Sequence, residues 1–165
     1  MLKKYPVLKI SLNILVILIV FFSVKIFLQR DLAEGHAPPL AGVLLNGQNT
    51  DIEYYQGKPL LLHFWATWCG ICKLEEKSVS SIAENYQVLT ISMQSGDAHK
   101  VQSYLDERGV NFPVIVDEYG EIAKRFGVSR VPASFIIDPQ GMIAFTEVGY
   151  TSNWGLRLRL WLADK

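Results

Sequence analysis

Cys69 and Cys72 are the only cysteines in this chain, and they stand where an apolar run gives way to a helix-like segment. The run is Leu60-Leu61-Leu62-His63-Phe64-Trp65, entered through Pro59. Ala66-Thr67-Trp68 turns the chain, and Cys69-Gly70-Ile71-Cys72 opens the next segment. A short apolar run bounded by a proline and a turn reads as a strand buried on both faces, and such a strand needs a layer above and below it. A cysteine at a helix N-terminus is held as thiolate, its nucleophilic form, by the free backbone N–H groups and the helix dipole. Two intervening residues let the sulfurs meet across the first turn, so a disulfide can form and break without refolding the domain. Cys69 is the candidate attacking thiol and Cys72 the resolving one.

A pair at this spacing is a structural bridge, a redox dithiol or half of a metal site. Two cysteines cannot staple a disulfide-rich scaffold, and their place at a helix start favours the redox reading. Zinc would need two more ligands, and only His36, His63 and His99 accompany the carboxylates, with no second Cys-x-x-Cys. No metal and no dissociable cofactor are expected; the pair itself would carry the electrons. Lysine plus arginine balances aspartate plus glutamate at 16 each, so nothing calls for nucleic acid. At 165 residues, 50% of them hydrophobic, the chain can build one core and a short appendage.

That appendage is N-terminal. Residues 1–9 carry Lys3, Lys4 and Lys9, and residues 10–28 form an apolar segment whose polar members are Ser11, Asn13, Ser23 and Lys25. At about 1.5 Å per residue such a helix covers roughly 28 Å, close to the hydrocarbon thickness of a bilayer. The basic flank is expected in the cytoplasm and the rest of the chain outside it, in the periplasm or its equivalent. Signal-peptide cleavage wants small residues at the third and first positions before the cut, and cuts after Ala33 or Ala37 put Asp31 or Glu34 at the third. An uncleaved single-pass anchor is expected. Residues 29–39, polar with Gly35 and Pro38-Pro39, read as a linker, and residues 40–165 as the domain.

Within the domain, Gly42 to Leu45 and Asp51 to Tyr54 read as strands around Asn46-Gly47. Gly70 to about Tyr86 is a helix, Gln87 to Ser92 a strand, and Asp97 to Arg108 a helix ended by Gly109 with Val101 and Leu105 inward. Phe112 to Asp117 then follows as a strand of a βαβ unit. Glu121 to Phe126 is a short helix, and Ala133 to Ile137 pairs with Met142 to Val148 across a turn at Asp138-Pro139-Gln140-Gly141. Ser152 or Asn153 caps a last helix, whose Trp154, Leu158, Trp161 and Leu162 share one face and read as core.

The string Trp65-Ala66-Thr67-Trp68-Cys69-x-x-Cys72-x-x-Glu75, with Val131-Pro132 far downstream, resembles the thioredoxin fold. It is most similar to the TlpA/ResA/DsbE branch of membrane-anchored thiol-disulfide oxidoreductases, over roughly residues 37–162. The resemblance implies an α/β, thioredoxin-like fold: a central mixed sheet flanked by helices, with an N-terminal hairpin and a central helix-strand insertion. It implies that Pro132 is cis, that its loop packs beside the cysteines, and that Val131 offers backbone hydrogen bonds to an incoming strand. Trp68, which would shield the sulfur and offer apolar contact, joins Gly70 and Ile71 as substrate-binding residues. Gly70 and Ile71 bring no cationic or hydrogen-bonding side chain, which argues against extreme oxidising power. In the branch a glutamate at this place tunes protonation of the pair, so Glu75 is either that group or a solvated helix glutamate, as Glu76 reads. Where plain thioredoxin has a buried aspartate this chain has His63, which is either a proton acceptor for Cys72 or a hydrogen-bonded core histidine. Lys77 stands where relatives often carry a helix-kinking proline. A peroxide-reducing cysteine would want proline and Thr or Ser where Leu62 and Ala66 stand.

The expected activity is disulfide exchange with envelope proteins. The reducing direction is favoured, fed by a membrane thiol-reductant donor, because an oxidising compartment would otherwise leave the pair as a disulfide. The resemblance adds two duties, cytochrome c maturation and copper tolerance, the second through a copper-sensitivity suppressor subgroup. A disulfide-donating oxidase and a redox-inert docking or metal-chaperone module are the alternatives.

Overall fold

The computed structural model describes the backbone from residue 6 and side chains from residue 10. The basic flank with Lys3, Lys4 and Lys9 therefore lies outside the described side chains. Helix α1 spans Pro6–Gln29 and is apolar on all sides rather than amphipathic. Its Ile10–Gln29 segment is the one helix among the described residues long and apolar enough to cross a membrane. The chain divides between Arg30 and Asp31 into two units.

The second unit starts at Asp31, earlier than the expected residue 40. The expected linker is in large part laid onto the domain. Leu32 is buried, the Ala33 amide donates to the Phe126 carbonyl at 3.0 Å, the Ala37 amide to that of Gly141 at 2.9 Å, and His36 bridges Met142. Gly127 makes room for this approach. Its φ is +70°, and a Cβ there would stand 1.8 Å from the Asp31 carbonyl oxygen. Burying one leucine while pairing the backbone outweighs the polar composition that suggested a free tether.

Strands β1 (Ala41–Val43) and β2 (Asn49–Asp51) form an antiparallel hairpin. The second strand is expected over Asp51 to Tyr54, and only Asp51 of that span belongs to it. Instead Asp51 accepts from the Glu53 and Tyr54 amides and starts a 3-10 turn over Ile52–Tyr55, because a short carboxylate competes for backbone donors and ends a strand. β3 (Leu60–Trp65), β4 (Gln87–Met93), β5 (Val114–Asp117), β6 (Ala133–Ile137) and β7 (Ile143–Val148) form one sheet in the order β5-β4-β3-β6-β7. β3, β4 and β5 are parallel neighbours, while β6 and β7 run antiparallel, giving a mixed sheet. The hairpin covers the β5 edge through a Leu44–Ile115 bridge.

Helices α2 (Cys72–Ala83), α3 (Ala98–Arg108), α4 (Glu121–Arg125) and α5 (Asn153–Ala163) complete the fold. Asp97 caps α3 and left-handed Gly109 ends it; Ser152 caps α5. Every residue of β3 is buried. Leu61 and Trp65 join the cysteines, Val79, Ile82, Leu156 and Leu160 in one cluster, while Leu60, Leu62 and Phe64 join Phe126 and Phe135 in another. This is the period-2 alternation of a central strand.

Three further expectations fail. α2 begins at Cys72 and ends at Ala83, so Gly70 and Ile71 precede it. Glu76 is buried, accepting from Tyr104 Oη at 3.0 Å and from Arg108, a clamp between α2 and α3 that burial and the carboxylate together use to push the Tyr104 hydroxyl up to about 12. The stripe Trp154, Leu158, Trp161 and Leu162 faces outward, with Trp154 83% exposed, and α5 buries Leu156 and Leu160 instead. α5 is apolar on two opposite faces, so periodicity alone could not say which one meets the sheet.

Candidate active site

The C-terminal end of β3 delivers the cysteines. After Trp65 the chain turns, the Cys69 amide donating to the Ala66 carbonyl at 3.1 Å. Residues that follow β4 hold this turn: Ser95 Oγ accepts the Thr67 amide at 3.0 Å, and the Trp68 indole N–H donates to the Gln94 carbonyl at 3.0 Å. Trp68 is thereby fixed while remaining exposed. Trp65 instead packs inside on Tyr104 and Phe112.

Cys69 and Cys72 are joined as a disulfide with Cα atoms 5.3 Å apart. Cys69 Sγ accepts the Cys72 amide, the first of α2, at 3.1 Å. That N–H is aimed where negative charge develops when Cys69 is released as thiolate. Cys69 Sγ also lies 3.6 Å from the Val131 carbonyl oxygen, and the Val131–Pro132 bond is cis. Gly149 donates to the Pro132 carbonyl at 2.9 Å, which ties the loop after β7 to the proline loop. Of the expected binding residues, Val131 thus meets Cys69 Sγ through its carbonyl with Pro132 next to it, Trp68, Gly70 and Ile71 flank the cysteines in the chain, and the space beside the Gly70 backbone is open.

Two ionisable groups lie on the cysteine side of the sheet. His63 stands opposite Ser134 in the β3–β6 register, and its Nδ1 lies 2.9 Å from Ser134 Oγ. Burial lowers its pKa from 6.5 to about 4, so the imidazole is neutral at physiological pH. Glu75, one turn along α2 from Cys72, accepts the Thr151 amide through Oε1, and its buried Oε2 has no partner. Burial raises its pKa to about 7, against a smaller lowering by the Thr151 hydrogen bond. A carboxyl that titrates near neutrality, beside a thiol pair, can hold or release a proton as the pair changes state. No hydrogen bond links either group to a cysteine in the disulfide form.

Ser134, Thr151, Gln94 and Ser95 escaped sequence reading. Each acts through pairing set by strand register or loop position, which no local pattern encodes. Among the described residues, no group of three or more His, Cys, Asp or Glu is placed to hold a metal ion.

The AhpC/TSA family model matches residues 34–146. A thioredoxin-like protein of Haemophilus influenzae is 32% identical over 98% of this chain and 98% of its own. The thiol-disulfide oxidoreductase ResA of Bacillus thuringiensis is 31% identical over 65% of this chain and 64% of its own. A Chlorobium tepidum crystal structure, described as a thiol:disulfide interchange protein DsbE, superposes with a TM-score of 0.71 at 25% identity, covering 80% of this chain and 98% of that one.

Proposed function

The chain belongs to the AhpC/TSA family, and from that membership and its thiol-disulfide oxidoreductase relatives we propose that Cys69 and Cys72 reduce disulfides of envelope polypeptides outside the cytoplasm. One observation carries this reading: Cys69 Sγ sits between the first α2 amide and the Val131 carbonyl, beside Pro132. The apolar α1 helix would hold the domain at the membrane surface, with residues 1–9 cytoplasmic.

In the reducing direction Cys69 thiolate attacks one sulfur of a partner disulfide, the partner's other sulfur leaves as thiolate and takes a proton, and a mixed disulfide remains. Cys72 then loses its proton and attacks Cys69 Sγ. The Cys69–Cys72 bond forms as the bond to the partner breaks; two electrons pass to the partner, and a membrane thiol donor restores the dithiol. The pair is its own electron carrier and calls for no other cofactor.

The backbone of Val131 would align the partner strand and Trp68 would cover it, with Gly70 and Ile71 forming the floor. Glu75, titrating near neutrality, is the group assigned to take and return the Cys72 proton. His63, neutral and bonded to Ser134, is assigned the lesser part of keeping this side of the sheet polar and uncharged.

The equilibrium potential of the pair, titrated in the full chain against dithiothreitol, tests the direction. A value near or below about −250 mV supports a reductase, and one near about −120 mV makes the chain a disulfide donor. Cys72→Ala should trap a mixed disulfide on Cys69; absence of any trapped species would remove the exchange reading itself.

A further inference from the structure

The surface around Cys69 is apolar out of proportion to its exposure. Ile71 and Leu74, on the turn that opens α2, are 49% and 68% exposed. Trp68, 61% exposed, stands on one side of the sulfur. Tyr150, 58% exposed, belongs to the loop tied to this site, since its neighbours are pinned: Gly149 to the Pro132 carbonyl and Thr151 to Glu75. Four large apolar side chains are thus left in solvent on the segments that carry or adjoin Cys69, which is what a contact surface for a partner requires.

On the side of α2 and the proline loop its charge is cationic. Lys73 and Arg130 are exposed, next to Cys72 and Val131 respectively, and neither pairs with a carboxylate among the described residues. Lys77 extends the cationic strip one turn along α2. The only acids of α2, Glu75 and Glu76, are buried and engaged with Thr151, Tyr104 and Arg108. The exposed Glu118 lies beyond the other side, after β5, two strands from β3.

We infer that this collar takes a polypeptide segment whose cysteine is set among apolar residues and flanked by acidic side chains, the acids lying toward Lys73 and Arg130. The inference rests on the exchange reading and names its substrate class. Apolar contact with Trp68, Leu74 and Tyr150 would hold the mixed disulfide. The cations would speed encounter, as unpaired rim charges do, in a manner that salt suppresses.

The test uses the reduced full chain in non-ionic detergent and three synthetic disulfide peptides whose flanks are apolar with glutamates, apolar with lysines, or glycine and serine. Each rate of reduction is divided by that peptide's rate with dithiothreitol, which removes differences in intrinsic reactivity. The acidic peptide should react about 10-fold faster than the basic one at low salt, and the ratio should approach one near 1 M salt. Lys73→Glu combined with Arg130→Glu should reverse the order, while Lys58→Glu, on the loop before β3 at the opposite end of the sheet, should leave it. Leu74→Ser combined with Tyr150→Ser should slow the two apolar peptides toward the glycine and serine one. Equal rates for acidic and basic peptides at low salt, or a preference indifferent to salt, overturn the inference while leaving exchange intact. Failure of all three peptides together removes both.

Discussion

The two sides of β3 are built from the same strand and differ in kind. On one, Phe64, Phe126 and Phe135 meet with ring centroids 5.4 to 5.7 Å apart, and the acid buried on that side, Asp117, has both carboxylate oxygens satisfied by the Ile122 and Ala123 amides. On the other, the disulfide shares its cluster with Leu61, Trp65 and Val79, and polar groups are threaded beside it: His63 with Ser134, Thr90 with the Trp65 indole, and Glu75 with an unpartnered Oε2. A buried polar group without its partner costs stability, so a fold shaped by stability alone would have two sides like the first. The difference teaches that the second side trades stability for groups that can exchange protons and electrons.

The largest effect expected to sharpen this contrast is Phe126→Ala. It should lower the unfolding free energy by about 3–5 kcal/mol, read by denaturant titration, and leave the potential of the cysteine pair in place. A potential that moves with it would break the comparison, because the aromatic side would then be serving the chemistry.

Glu75 comes next. With its pKa raised from 4.5 to about 7, the native protein binds more protons than the unfolded chain across that interval, so stability falls as pH rises through it. Glu75→Gln keeps the acceptor for Thr151 and removes the charge; it should flatten that slope and gain on the order of 2 kcal/mol at pH 8. Its exchange rate should also lack the pH dependence that a group titrating near neutrality gives the parent protein. An unchanged pH profile would remove Glu75 from the proton traffic.

His63 works with the opposite sign. Its pKa falls from 6.5 to about 4, so the unfolded chain binds more protons between those values and stability is lost as pH drops from 6.5 toward 4. Denaturant midpoints measured from pH 4 to 7 in His63→Asn should lack this acid loss. Resolution of the mixed disulfide by Cys72 should barely change at pH 7 if His63 is the uncharged core partner described above. Ser134→Ala, which strips the Nδ1 partner from that imidazole, should cost roughly 1–2 kcal/mol. Trp154→Ser, at the outward face of α5, should stay within about 0.5 kcal/mol of the parent protein, marking where the core ends.

Much of the molecule was legible from its residues. Leu60–Trp65 announced a strand buried on both faces, Asp97 and Gly109 bracketed a helix, and the strand that follows it read as part of a βαβ unit, in line with the α/β architecture that the resemblance implied. What misled were places where two local readings tie. Residues 31–39 look like a linker until Leu32 is seen beneath Gly127, and Asp51 could continue a strand or cap a turn. The outward stripe of α5 follows a helical period as faithfully as its buried face does. Glu75 and Glu76 are neighbours with the same side chain, and their unlike fates depend on Thr151, Tyr104 and Arg108, all remote in the chain.

The sequence by itself determined the reactive pair, its place at the mouth of a helix and the apolar segment that precedes the domain, because those features rest on covalent spacing and on runs of like residues. Only the tertiary structure decided which carboxylate is buried, which histidine nitrogen meets Ser134, which face of α5 is core, and how the Val131 carbonyl comes within 3.6 Å of Cys69. Those outcomes hang on strand register and on loops meeting across the sheet. Desolvation and hydrogen bonding act through distances between residues far apart in the chain, which no stretch of sequence contains.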